Sequence, residues 1–329
     1  MIYLAAFFIP LLLLLIFEPA FINFAEKKRI YDKPSSRKIH TRLVPLWGGL
    51  GIWISVWVGL AALYFMSGEV KHYLLDNFSA VNGIFLGSLI ILITGMADDR
   101  DAVTPTVKLL AQTIAVMMVL IYGVEITGFK IPFMKYVMFP RLVSIIVTAC
   151  WLLAFTNVIN LIDGVDGLAC GVSAIAAFTF SVVIIIESIF GLLPGGNFFA
   201  LFSLLLSGAC VGFLYFNFPP AGVFLGDSGS LLLGFFLGII SIQGMLKLTA
   251  AIALVIPVMV VALPVFDVVA AIIRRRRAHV PIMSPDSDHF HHKLLKGGWS
   301  SREISLLMYN LTLILSIVAI MATIFSIKQ

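Results

Sequence analysis

Asn157, Asn160, Asp163 and Asp166 fall within F-T-N-V-I-N-L-I-D-G-V-D-G-L-A, residues 155–169, between two strongly apolar runs. A carboxylate in hydrocarbon is costly, so two Asp and two Asn at such a break need water or a function. Three further breaks repeat the pattern: A-D-D-R-D at 97–101, F-L-G-D-S-G-S at 224–230 and D-H-F-H-H-K at 288–293.

Each break has a chemical reading and a plainer one. Asp98, Asp99 and Asp101 are crowded carboxylates; one must take a raised pKa unless a cation is near, or else the group is a solvated loop that ends a helix. Asn160, Asp163 and Asp166, at a spacing of three, lie together on a helix turn. Their oxygens suit Mg²⁺, which takes one or two protein ligands beside phosphate and water. D-G-V-D-G is also rich in turn formers. In the third break Gly226, Ser228 and Gly229 let backbone N–H groups approach a phosphate at the start of a helix. Asp227 beside that phosphate is best explained by a bridging metal. His289, His291 and His292 lack the cysteines of a typical zinc site and make better sense as donors to phosphate oxygens. With Lys108, these groups form an electrostatic clamp for phosphoryl transfer.

The elements that must position them are membrane spans. The 329 residues are 60% hydrophobic and 12% charged, with a mean hydropathy of +1.07. A soluble domain is nearer a quarter charged. The apolar runs are continuous rather than alternating, which argues against a β-barrel and for an all-α, polytopic membrane protein with a single domain over 1–329. Ten spans are predicted: 2–22, 46–66, 80–97, 106–123, 141–158, 168–188, 199–216, 229–246, 250–272 and 304–326. Thr104-Pro105 reads as N-cap and N1 of the fourth, and Ser300-x-x-Glu303 as a capping box for the tenth. Ser79 and Ser228 are cap candidates for the third and eighth. Cys150, Cys170 and Cys210 have no metal or redox spacing and read as buried small residues. The N-terminus lacks a basic n-region and reads as a first span rather than a removed signal.

Sixteen of the 22 basic residues lie in 23–45, 273–303 and at Arg100 and Lys108. The positive-inside rule puts these in the cytoplasm and both termini outside. Ten spans then place the loops near 23–45, 97–106, 159–167, 217–229 and 273–303 on that one face, so all four polar breaks share it. The same rule accounts for the basic residues without nucleic acid. Arg274 to Arg277 read as topology determinants or headgroup contacts. Asp267, inside the ninth span, reads as facing the bundle interior.

Five motifs in order carry a resemblance: D-K-P-S-S-R-K-I-H…P-L-W-G-G, A-D-D-R, N-V-I-N-L-I-D-G-V-D-G-L-A, F-N-F-P-P-A-G-V-F-L-G-D-S-G-S and S-P-D-S-D-H-F-H-H-K-L. Over almost its whole length the chain resembles the polyprenyl-phosphate N-acetylhexosamine-1-phosphate transferases, the group of the WecA, TagO and MraY enzymes. His289-Phe290-His291-His292 is similar to the H-x-H-H signature of the WecA/TagO side. Phe290 interrupts the consecutive histidines of the muramyl-pentapeptide branch.

The resemblance implies transfer of a sugar-1-phosphate, most commonly GlcNAc-1-phosphate, from a UDP-sugar to undecaprenyl phosphate. UMP is released and a cell-surface glycan is begun, with Mg²⁺ or Mn²⁺ required. It implies Asp227 as the metal ligand, with Asn160 as partner. Asp98 and Asp99 match a catalytic aspartate pair, as lipid-phosphate activators or metal ligands. Asp163, Asp166 and His289, His291 and His292 match further catalytic positions. Lys108, Asn157, Asn217 and the nucleobase-stacking Phe224 are implied on the substrate side. A bacterial inner-membrane location is implied, and a homodimer is open. A transporter or flippase is the rival reading, but transporters concentrate polar groups near the bilayer midplane.

Overall fold

Apolar runs in a bilayer must satisfy their backbone groups internally, and helices do so within one segment. The computed structural model describes residues 1–32, 43–130, 136–191, 197–245, 276, 294 and 297–327. These form ten helices and two short hairpins. The helices are α1 (Ile2–Lys27), α2 (Gly48–Met66), α3 (Gly68–Asp76), α4 (Phe78–Arg100), α5 (Pro105–Ile121), α6 (Arg141–Ile162), α7 (Leu168–Ile189), α8 (Asn197–Asn217), α9 (Gly226–Met245) and α10 (Ser301–Ile327). Strands β1 (Tyr31–Asp32) and β2 (Val44–Pro45) pair antiparallel, as do β3 (Gly128–Lys130) and β4 (Tyr136–Met138).

Among the described residues, seven helices are long and apolar enough to cross a membrane. The chain is therefore a multi-pass membrane protein. Helices α5 and α9 are shorter apolar helices. The 17 residues of α5 span about 26 Å, just under the hydrocarbon thickness of about 30 Å. Nine of the ten predicted spans correspond to described helices; the ninth, 250–272 with Asp267, lies outside the described residues. Helix α3 is an addition: a short segment capped by Ser67, which accepts from Val70 N–H at 3.4 Å.

Helices α7 and α8 pack on each other, with α1 against α8 and α10 against α7. Helix α9 lies between α4 and α6 and also touches α2, α7 and α8. The core between them is aromatic and aliphatic, with Phe202, Phe213, Phe235 and Phe236 fully buried. Apolar side chains such as Leu4, Phe8, Leu12 and Ile16 on α1 face outward. In water such a stripe would be a liability, but against lipid it is the expected surface.

The caps resolve in three ways. Ser300 and Glu303 form the predicted box, with Ser300 N–H donating to Glu303 Oε2 at 2.8 Å and Glu303 N–H to Ser300 Oγ at 3.3 Å. Thr104 and Pro105 start α5 as expected, without a side-chain cap bond. Ser79 and Ser228 are not caps, because each helix begins earlier than its apolar run. Helix α4 starts at Phe78, and Ser79 Oγ donates to Tyr122 O at 3.4 Å, joining α4 to the end of α5. Ser228 lies inside the first turn of α9, its Oγ on Leu225 O.

Candidate active site

The C-terminal ends of α4, α6 and α8 and the N-terminal ends of α2, α5, α7, α9 and α10 meet at one end of the bundle. Three of the four polar breaks are brought together there. The fourth, with His289, His291 and His292, lies outside the described residues.

At the centre is Asp227, the second residue of α9. Its Oδ1 accepts from Asn160 Nδ2 of α6 at 2.7 Å, and its Oδ2 accepts from Lys108 Nζ of α5. Lys108 also donates to Asp98 Oδ2 of α4 at 3.1 Å. Asn160 Nδ2 reaches Ser230 Oγ at 2.8 Å, one turn along α9 from Asp227. Three helices thus converge on one carboxylate, and a lysine neutralises part of the charge.

The adjacent aspartates are split by helical geometry, since neighbours on a helix point about 100° apart. Asp98 turns towards α5: its Oδ1 accepts from Val103 N–H at 2.6 Å and its Oδ2 from Lys108. Asp99 turns towards α9, accepting from Asp227 N–H at 2.7 Å and Ser228 N–H at 3.2 Å. Asp101 faces solvent and pairs with Arg100 at 3.5 Å. The solvated-loop reading therefore describes Asp101 alone. Of the N–H groups expected to approach a phosphate at the start of α9, that of Ser228 is instead taken by Asp99.

Asp163 sits half-buried in the turn after α6. Loss of water, then the carboxylates of Asp227, Asp99 and Asp166, push it well above the ordinary carboxylate range. Asp166 has a bracing geometry, its Oδ2 accepting from Ala221 N–H at 3.0 Å. Asn217 is buried and braces the same junction. Its Oδ1 accepts from Gly167 N–H at 3.1 Å and its Nδ2 donates to Val223 O at 2.8 Å. Helix α10 closes the junction through Ser305 Oγ on Asp166 O at 2.9 Å and Tyr309 OH on Gly167 O at 2.6 Å. Phe224 is half-buried, and its backbone bridges to the start of α2 through Pro45 O (2.9 Å) and Gly48 N–H (3.3 Å).

Asn157 exchanges two hydrogen bonds with Gln112 of α5, at 2.7 and 3.2 Å. Gln112 was not among the sequence candidates, nor were Ser230, Ser305 and Tyr309. Gln112 had a legible signal: it stands four residues after Lys108 in an apolar run, on the same helix face. The two bonds from α10 had none, because they cross more than 130 residues.

The cluster is rich in oxygen donors and poor in positive charge. Among the described residues, both of its ion pairs are made by Lys108. One carboxylate and one amide from facing helices, with spare negative charge around them, fit a hard divalent cation that completes its shell from phosphate and water. Asp227 and Asn160 are the side chains that would hold it.

A family model described as "Glycosyl transferase family 4" matches residues 81–245, which contain this network except for α10 and the start of α2. A Bacillus subtilis protein named "Probable undecaprenyl-phosphate N-acetylglucosaminyl 1-phosphate transferase" is 36% identical over 316 residues, 96% of this chain and 83% of the relative. A Mycolicibacterium smegmatis "Decaprenyl-phosphate N-acetylglucosaminephosphotransferase" is 33% identical over 302 residues, 84% of this chain and 71% of its own length. An Escherichia coli "Undecaprenyl-phosphate alpha-N-acetylglucosaminyl 1-phosphate transferase" is 27% identical over 325 residues, covering 95% and 83%. Both the family match and the identity to the Bacillus relative lead to one assignment: the chain belongs to glycosyl transferase family 4.

Proposed function

We propose that this chain transfers N-acetylglucosamine-1-phosphate from UDP-GlcNAc to undecaprenyl phosphate, at the cytoplasmic face of a bacterial inner membrane, with Mg²⁺ or Mn²⁺. The observation that carries the reading is the convergence of Lys108, Asn160 and Asp98 around Asp227 at one end of an apolar bundle. Relatives named for this reaction support it, and nothing in them supports a transporter.

In the reaction, an oxygen of the lipid phosphate forms a bond to the β-phosphorus of the UDP-sugar. The bond from that phosphorus to the bridging oxygen breaks, and UMP leaves with the electron pair. The attacking phosphate is largely ionised at neutral pH, its second pKa being about 6, so no strong base is needed. Lys108 is placed to meet phosphate oxygens once the diphosphate enters, exchanging a carboxylate partner for them. Asn160 and Ser230 hold the Asp227 carboxylate in a set orientation. A bound divalent cation supplies neutralisation of diphosphate charge. The apolar helices beside the cluster suit the polyprenyl chain, and the cluster suits its head.

The test is UMP release by detergent-purified protein given undecaprenyl phosphate, Mg²⁺ and a panel of UDP-sugars. Release is expected with UDP-GlcNAc and only when the lipid phosphate is present. Asp227→Ala is expected to lower it by more than about 10³-fold, at or beyond the cost of removing one electrostatic group from a preorganised site. Full turnover in that variant would remove Asp227 from the chemistry.

A further inference from the structure

We propose that Asp99 is a positioning residue: its carboxylate is an interhelical cap that seats the first turn of α9 and thereby aims Asp227. Three observations carry this. Both Asp99 oxygens are engaged by backbone N–H groups of α9, those of Asp227 and Ser228. A helix leaves its first N–H groups without internal partners, and its N-terminal dipole favours an anion there. In most helices the cap comes from the preceding residue, but here that residue is Leu225, which has no acceptor side chain.

The second observation is at Gly226. A Cβ built there would stand 2.6–2.8 Å from the Asp99 carboxylate, so any side chain would push that carboxylate off its seat. Its φ of +68° is the left-handed value that glycine adopts without penalty. The third is at Gly95, one helical turn before Asp99 on the same face of α4. A methyl on Gly95 would collide with the backbone of Asp227 and Ser228. Gly95 provides the close approach, Asp99 the acceptors and Gly226 the space. The three form a dock on α4 for the end of α9.

The dock has a consequence for the aspartate pair. Asp98 touches Lys108 and belongs to the charge network. Asp99 acts through the backbone that bears Asp227. For turnover the proposal rests on the transferase reading; for stability it does not.

The experiment compares wild type, Asp99→Ala, Asp99→Asn and Gly226→Ala as purified full-length protein. Thermal melting is recorded in EDTA, and UMP release is titrated with Mg²⁺ across pH. Asp99→Ala is expected to melt about 2–4 °C lower, as one lost cap predicts for a protein of a few hundred residues. It should also need more Mg²⁺ for half-maximal turnover. Asp99→Asn keeps one acceptor oxygen, so it should recover part of both losses and show the wild-type pH profile. Gly226→Ala should resemble Asp99→Ala, and the double variant should be no worse than the poorer single one.

The proposal is overturned if Asp99→Ala melts at or above wild type in EDTA, since relief of carboxylate repulsion would then outweigh any cap. It is also overturned if Asp99→Asn is as inactive as Asp99→Ala at saturating Mg²⁺, which would mean that the charge itself serves the chemistry. A wild-type protein that releases no UMP overturns the transferase reading instead, and the melting comparison still decides the cap.

Discussion

Lys108 stands between Asp98 and Asp227 with 17% of its side chain exposed. Replacing it with Met leaves two partly buried carboxylates facing each other without a cation. Breaking a fully buried pair costs roughly 3–5 kcal/mol; partial exposure here brings the expected loss to about 1–3 kcal/mol. Saturating Mg²⁺ should recover some of that stability, because the cation takes over the counter-charge. Turnover should fall about 10²-fold or more even with the metal present, since phosphate then lacks its ammonium partner. Melting with and without Mg²⁺, alongside UMP release, checks both; equal melting of Lys108→Met and wild type in EDTA would sink the pairing argument. Asn157 and Gln112 are a contrasting case. Their amides satisfy each other, and that bond ties α5 to α6 just below Lys108 and Asn160.

Helices α4 and α9 are fitted through glycine rather than through large side chains. Gly49 of α2 and Gly95 of α4 both lie where a Cβ would strike the first turn of α9. Gly95→Ala is therefore expected to cost about 1–3 kcal/mol by overpacking, measurable as a lower melting temperature in detergent. An unchanged midpoint would show that α4 has room to move. A milder effect is expected from Tyr309→Phe, which removes one hydrogen bond, to Gly167 O, while keeping the ring against Gly171. About 1 kcal/mol is the expected stability loss, with UMP release falling as the 163–167 turn loosens. Wild-type stability in that variant would mean that α10 is held by its ring and not by its hydroxyl.

For the whole molecule, the prediction concerns sides. If the site faces the cytoplasm, a cysteine at Asp101 and one at Met138, both exposed, lie on opposite faces of the membrane. In a chain with Cys150, Cys170 and Cys210 replaced, an impermeant thiol reagent applied to intact cells should label position 138. Position 101 should react only after permeabilisation. The reverse pattern would place the site outside and end the case for a nucleotide-sugar donor taken from the cytoplasm.

The hydropathy of the chain by itself determined that it crosses a membrane many times as helices, because backbone groups in lipid have no other outlet. The parity of the predicted spans put the polar breaks on one face, and the described residues bring three of the four together at one end of the bundle. Residue types within those breaks pointed to phosphate and a hard cation, since crowded oxygen ligands beside a lysine suit both. Individual placements emerge only in three dimensions. Asp98 and Asp99 are the same residue type one position apart, and no property of the sequence separates them. What separates them is the 100° turn of α4, which aims one at Lys108 and the other at the backbone of α9. Likewise the resemblance implied Asn217 on the substrate side and Asp166 at a catalytic position, and only the fold shows that both also brace the backbone of neighbouring loops. Two of those three bonds join segments 50 or more residues apart, and local sequence carries no record of which distant N–H will arrive.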